Sequence, residues 1–309
     1  FKARELMKGK MIRQTVLPLI AAFIWGSAFV AQYLGSDNMP AYAFVTVRNF
    51  IAIWFLALVV LMFDIIRRKN PSFDESYVND NKELVKGGLL CGLSLGIAMN
   101  LQQFGVEGSG AGKSGFITTL YVAFIPIIGL FLKKKQPLKI WISVAISIIG
   151  LYLLCIDEEF TIVASDIYLL ACAFSFAVQM MITSHFVQKV DAIRLSCLQF
   201  AVAAVVSAVF MIAFKQYPTL EMIKASIGPL LYTAILSSGV AYTLQIFAQR
   251  GTNVSVVSLI MCLESVFATI CGAIILNEKM TAREYFGCAI MFCAVIISQL
   301  FSNKEIEKE

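Results

Sequence analysis

The chain has 309 residues, 59% of them hydrophobic and 15% charged, with a formal net charge of +5 and a mean hydropathy of +0.80. Soluble proteins carry about 45–50% apolar and about 25% charged residues, so the composition excludes an ordinary soluble enzyme or nucleic-acid-binding domain. The apolar excess lies in blocks, which reads as an all-α membrane protein that crosses the bilayer many times.

A run of about 20 mostly apolar residues spans the hydrocarbon. Ten such runs fall near 14–34, 41–66, 84–105, 112–132, 138–156, 166–187, 193–214, 227–249, 253–276 and 283–302. The first has no small-residue cleavage site and soluble domain after it, so it reads as a span rather than a cleaved signal peptide. The sequence opens on Phe1, so a few residues are expected to precede it. The first run offers Trp25 and Gln32 as polar wall residues, and the second holds Arg48 near its start. Arg48 could meet an anionic solute, pair with an acid, or snorkel to the interface.

In the third run Gly88, Gly92 and Gly96 recur every four residues, which predicts close packing on another helix. Gly96, Asn100 and Gln103 share a face of that helix, as Ser114, Thr118 and Tyr121 do in the fourth run. Between these runs stands EGSGAGKSG (107–115). A nucleotide-binding P-loop needs G-x-x-x-x-G-K-[ST] so that backbone N–H groups can wrap the phosphates. Glu107 occupies the first glycine position, so the spacing excludes that chemistry and leaves a turn. Pro126 is a candidate hinge in the fourth run, because it removes a backbone hydrogen bond.

The sixth run offers Gln179, and the eighth Tyr242 and Gln245. Glu264 in the ninth lies roughly 16 Å along the helix at ~1.5 Å per residue, near the midplane. A carboxyl at that depth is costly; it reads as a proton-titrating or cation-recognising group, or as a structural one bonded to neighbouring helices. The eight cysteines all fall inside the runs and read as small buried residues rather than a disulfide or zinc framework.

With the amino terminus inside, 19 Lys and Arg residues fall on the inner side and five on the outer, leaving Arg48 within its span. This split predicts both termini on the cytoplasmic side. Lys113 and the acidic stretch Asp157-Glu158-Glu159 then lie outside.

The sequence also repeats. GLSLGIAMNLQQFGVEG (92–108) and ILSSGVAYTLQIFAQRG (235–251) match at eight of 17 positions without a gap, among them Ser94/Ser237, Gly96/Gly239 and Gln102/Gln245. Asn49-Phe50 echoes Gln199-Phe200, and Lys135-Gln136-Pro137 echoes Glu278-Lys279-Met280. The chain therefore reads as two five-helix units, 1–157 and 158–309. Five is odd, so the units cross the membrane in opposite senses, the inverted repeat of many transporters.

Trp25-Gly26-Ser27, Arg48-Asn49-Phe50, GKSGFITTLYVAFIPIIGLFL (112–132), LESVFATICGAIILNEKMT (263–281) and Gly287 together resemble the EamA branch of the drug/metabolite transporter superfamily. The resemblance covers essentially the whole chain, and departs from the family in having Ser265 where a proline is usual. It implies a ten-helix carrier in the cell membrane that moves a small organic solute, often outward, with protons as a coupling ion in many members. No cofactor and no nucleic acid is implied. On this reading the solute sits near the midplane against Trp25, Gln32, Asn100, Gln103, Thr118, Tyr121, Gln179, Tyr242 and Gln245, with Glu264 as the coupling or recognition carboxylate and Arg48 as a second intramembrane charge. The aromatic and amide lining suits an amino acid or a drug-like cation.

Two rivals are weaker. Gly92-Leu93-Ser94-Leu95-Gly96 fits G-x-S-x-G, and the one histidine, His185, would have to serve as base for an intramembrane hydrolase. Their predicted depths differ by ~12 Å at helical rise, whereas a base must approach within about 3 Å. A channel would show a filter or a ring of charges, and none is visible in the sequence.

Overall fold

Hydrocarbon offers no water to backbone N–H and C=O groups, so an apolar run inside it must satisfy them within itself. The computed structural model accordingly is helical along nearly its whole course; it describes residues 12–70, 80–109, 111–133, 136–155, 163–275 and 280–306. A π turn (Ile12–Val16) leads into α1 (Leu17–Ser36), followed by α2 (Ala41–Lys69) and α3 (Asn81–Ser109). Next come α4 (Ala111–Thr119), α5 (Tyr121–Phe131), α6 (Leu138–Cys155), α7 (Ala164–Phe186) and α8 (Ala192–Ala213). Short helices α9 (Leu220–Ala225) and α10 (Ile227–Leu231) lead into a π-helical stretch (Tyr232–Ala241). The chain ends with α11 (Tyr242–Gln249), α12 (Val254–Met261), α13 (Glu264–Ile275) and α14 (Ala282–Ile306).

Among the described residues, eight stretches are long and apolar enough to cross a membrane: Ile12–Ser36, Ala41–Lys69, Asn81–Ser109, Lys113–Phe131, Ala164–Phe186, Ala192–Ala213, Ile227–Gln249 and Val254–Ile275. Leu138–Leu154 is a shorter apolar helix. Asp157-Glu158-Glu159 and most of the basic amino-terminal tail lie outside the described residues.

Two runs expected as continuous helices are broken. The fourth breaks at Leu120 and the ninth at Cys262 and Leu263. At both breaks the backbone tightens to i−3 bonds, Leu120 N–H to Ile117 O and Leu263 N–H to Ile260 O. Side chains bonding the preceding turn accompany this: Thr119 Oγ1 donates to Gly115 O, and Cys262 Sγ to Leu259 O. Such back-bonding bends helices. Pro126, the expected hinge, instead sits inside the unbroken α5.

Packing depends on small residues. Gly88, Gly92 and Gly96 of α3 face Leu198, Val202 and Val206 of α8, and an added Cβ at each would come within 2.7 Å of those side chains. Gly150 of α6 and Gly287 of α14 cross so closely that a Cβ at 287 would sit 2.8 Å from Gly150 O. Gly26 brings α1 onto α13, where a Cβ would lie 2.5 Å from Glu264 O. At one end of the bundle Arg67 pairs with Asp191 at 2.6 Å and Arg194 with Asp64 at 2.9 Å, tying α2 to the start of α8. The outward face of α2, with Trp54 72% and Leu58 65% exposed, is left for lipid.

Overpacking of this kind costs about 1–3 kcal/mol, so Gly26→Val should lower the melting temperature in detergent more than Gly26→Ala does. Gly228→Ala, where an added Cβ meets nothing within 4 Å, should melt as wild type does. Equal melting of all three would remove Gly26 as the contact that sets the position of α13.

Candidate functional site

The broken helices and the π-helical stretch surround one cavity. The empty space in and opening out of it is about 430 Å³, of which the centre of a water molecule can occupy about 30 Å³. The cavity is therefore narrow, a slot for a small solute or a few waters. Its walls combine aromatic rings with polar side chains from distant parts of the chain. Trp25 meets Tyr242 edge-on at 4.7 Å between centroids, and Phe200 backs Tyr242 at 5.3 Å. Phe29, Phe176 and Met180 complete the apolar wall.

The lining holds a cation. Arg48 is 2% exposed, and its guanidinium donates to Ser238 Oγ (2.9 Å), Gln32 Oε1 (3.1 Å) and Ser237 Oγ (3.0 Å). The π-helical stretch supplies both serines, and Trp25 Nε1 donates to the carbonyl of Ser237. A π-bulge of this sort is common at functional sites. The three acceptors are neutral, and Arg48 has no ion pair among the described residues. A guanidinium carries five N–H donors, so one on each terminal nitrogen remains for a further acceptor.

The lining also holds a carboxyl. Glu264 is 3% exposed and opens α13 at the helix break, where Ser265 N–H and Phe267 N–H bond Cys262 O and Leu263 O across the break. Thr119 Oγ1 lies 3.2 Å from its Oε1. Glu264 has no ion pair among the described residues, Arg48 included. Tyr121 Oη meets the Glu264 carboxyl and Thr118 Oγ1 meets the Cys172 thiol. Gln245 Oε1, buried in the lining, has no hydrogen-bond partner among the described residues; buried polar groups are nearly always satisfied, so it is an acceptor left for an occupant.

Of the residues read from the sequence, Trp25, Gln32, Arg48, Thr118, Tyr121, Tyr242, Gln245 and Glu264 converge on this cavity. Asn100, Gln103 and Gln179 are not among its lining. Asn100 Nδ2 bonds Ser207 Oγ at 2.8 Å, where Asn49 Nδ2 also converges, and so locks α2, α3 and α8 together. Gln103 Nε2 reaches Ser36 Oγ at 2.9 Å. Gln179 lies behind the wall, accepting from Gln245 Nε2 at 3.4 Å and donating to Gln199 Oε1 at 3.1 Å. Ser114, from the same stripe as Thr118, turns to Gly105 O. The lining adds Ala28, Phe29, Gln102, Phe176, Met180 and Ser237. Gln102 and Ser237 were within reach, because the repeat alignment pairs them with Gln245 and Ser94.

The remaining sequence motifs lie elsewhere. Gly112-Lys113-Ser114, expected as a turn, instead lies in the first turns of α4, where Lys113 Nζ pairs with Asp166 Oδ2 at 2.6 Å; Ser109 Oγ bonds the same carboxylate, so the junction of α3 and α4 is tied to the start of α7. Ser94 Oγ donates to backbone carbonyls of its own helix, and His185 is exposed against Phe186.

The sequence profile of the EamA-like transporter family matches residues 14–156 and again 163–300. An uncharacterized transporter of Archaeoglobus fulgidus is 30% identical over 282 residues, covering 91% of this chain and 84% of that protein. The uncharacterized transporter YoaV of Bacillus subtilis is 22% identical over 303 residues, covering 96% of this chain and all of that one. A crystal structure superposes with a TM-score of 0.75 at 13% identity, over 94% of this chain and 98% of the other, a likeness of fold.

A hydrogen bond to a charged group is worth about 1.5–3 kcal/mol, and a buried charge stripped of its partners costs more than a charge removed. The double change Ser237→Ala with Ser238→Ala should therefore lower the melting temperature more than Arg48→Met does. The opposite order would mean that the guanidinium is well solvated without the two serines.

Proposed function

Because the chain belongs to the EamA-like transporter family, we propose that it is a secondary active carrier that exports a small zwitterionic metabolite, an amino acid being the simplest, by alternating access. The observation that carries this reading is Arg48, with no ion pair among the described residues, in the lining of a narrow cavity that Glu264 also lines. A carboxylate can bridge the two terminal nitrogens of Arg48, the strong bidentate geometry of such pairs. An ammonium group then meets acceptors at Gln245, Tyr121 and Glu264, and an apolar substituent lies on Trp25, Tyr242 and Phe176.

The architecture we assign is ten helices in two five-helix units, 1–157 and 158–309, inverted relative to each other. α6 and α14 are the fifth and tenth spans. The double match of the family profile supports the division. So do the two helix breaks: the offset that aligns Gly92 with Ile235 carries Leu120 onto Leu263 and Tyr121 onto Glu264. Broken helices that meet at a midplane site recur in inverted-repeat transporters. The excess of Lys and Arg on one side supports cytoplasmic termini in the cell membrane.

The test is ligand-induced thermal stabilisation of the purified protein across amino acids, nucleosides, vitamins and organic cations. Zwitterions should raise the melting temperature, the methyl ester of a stabilising amino acid should not, and Arg48→Gln should abolish the effect. Stabilisation by cations that lack a carboxylate, untouched by Arg48→Gln, would overturn the zwitterion reading.

A further inference from the structure

Three glutamines on three helices bond in series from the cavity wall into the bundle. Gln179 of α7 and Gln199 of α8 are 0% exposed, and Gln245 of α11 is 1% exposed. Gln245 Nε2 donates to Gln179 Oε1 at 3.4 Å, and Gln179 Nε2 donates in turn to Gln199 Oε1 at 3.1 Å. The same nitrogen donates to Thr183 Oγ1, one turn along α7, at 3.1 Å, and that hydroxyl meets the Cys91 thiol of α3 at 3.3 Å. Of the three glutamines only Gln245 lines the cavity. The amide atom it does not spend on Gln179 is Oε1, an acceptor.

An amide oxygen only accepts and an amide nitrogen only donates, so the series has a direction. If Gln245 turned alone, its Oε1 would lie against Gln179 Oε1, acceptor on acceptor. If Gln179 turned alone, its Nε2 would face the nitrogen of Gln245 and its Oε1 the oxygen of Gln199. The polarity therefore changes for all three amides together or for none. From this we infer that Gln179, which is outside the lining, is a specificity-determining residue of the solute site. It acts by position: it holds Gln245 with the carbonyl oxygen toward the occupant. The site then takes a donor at that place and refuses a group that can only accept.

The inference deepens the zwitterion reading and rests on it. With the solute carboxylate on Arg48, the group on the next carbon falls to Gln245 and Glu264. An amino acid brings an ammonium there, which donates. The 2-oxo acid of the same skeleton brings a carbonyl oxygen, which accepts. Apolar packing separates two such isosteres poorly, whereas a site whose buried polar group is left unpaired by the wrong one separates them well. Removing the amide of Gln179 frees Gln245 to turn its nitrogen inward, and that suits the oxo acid. Glu264 stays the same in every variant below, so its pull on the ammonium drops out of the comparison.

Thermal stabilisation of the full chain by alanine and by pyruvate measures the preference, because it grows with ligand concentration relative to Kd. Wild type should prefer alanine. Gln179→Met should narrow that preference by roughly tenfold, the scale of one hydrogen bond to a charged group, chiefly by admitting pyruvate. Gln199→Met, which removes only the far anchor of Gln179, should narrow it less, and it carries the test if Gln179→Met does not fold. In a Gln245→Met background Gln179→Met should leave the preference where it is, an indifference that general damage to the bundle would not produce. A preference unmoved by Gln179→Met, or by Gln199→Met where that variant carries the test, would overturn the role of Gln179 and leave the zwitterion reading in place. The same narrowing in the Gln245→Met background would do so too. Stabilisation of wild type by pyruvate as strong as by alanine, or by neither, would overturn both.

Discussion

A polar group at bilayer depth must find its partners in protein, because lipid supplies none. That constraint organises this molecule. Two helix breaks and ten residues of π-helix leave backbone and side-chain polar groups for neighbouring helices to cover. Gly26 is the clearest case. Its missing side chain lets α1 lie on the carbonyl of Glu264, closing the cavity on the side where α13 begins. The glycine ladder of α3 does the same for α8, whose Ser207 holds Asn49 and Asn100.

The same constraint separates two kinds of buried polar residue. Asn100, Gln103, Gln179 and Gln199 spend hydrogen bonds on one another or on neighbouring helices, so they fix the frame. Arg48 keeps donors in reserve and Gln245 an acceptor, both in the cavity lining. Asn100, Gln103 and Gln199 also keep one unbonded amide atom each, so place in the lining, rather than reserve capacity alone, marks the candidate site.

Much of this was legible in the sequence. Run length and the near absence of charge gave the helices, and the four-residue glycine spacing gave a close helix contact for α3, though not α8 as its partner. Glu264 and Arg48 stood out because charge in hydrocarbon is costly. What stayed hidden depends on tertiary partners. Periodicity along a straight helix put Gln103 on the cavity face, yet the crossing of α3 with α1 and α7 turns Gln102 inward instead; only the pairing of Gln102 with Gln245 in the repeat carried that signal. The breaks at Leu120 and Leu263 escaped notice because neither residue is a helix breaker. They arise from hydroxyl and thiol groups bonding the preceding turn, and the proline that drew attention, Pro126, lies in a helix that holds.

A duplicated scaffold would, left symmetric, offer the same chemistry from both halves. Gln102 and Gln245 keep that symmetry in the cavity. The charges do not. Tyr121 occupies the position in the first unit that Glu264 holds in the second, and the echo of Asn49-Phe50 in Gln199-Phe200 puts Leu198 opposite Arg48. Leu198 packs on Gly88, away from the lining. Each proposed unit thus contributes one charge of one sign, and its counterpart is neutral. The lining thus holds one cation and one carboxyl, while the helix breaks stay equivalent under the repeat alignment. In the inverted repeat we propose, that equivalence would serve the exchange of two conformations, and the proposed zwitterion would need the asymmetry to bind in a single orientation.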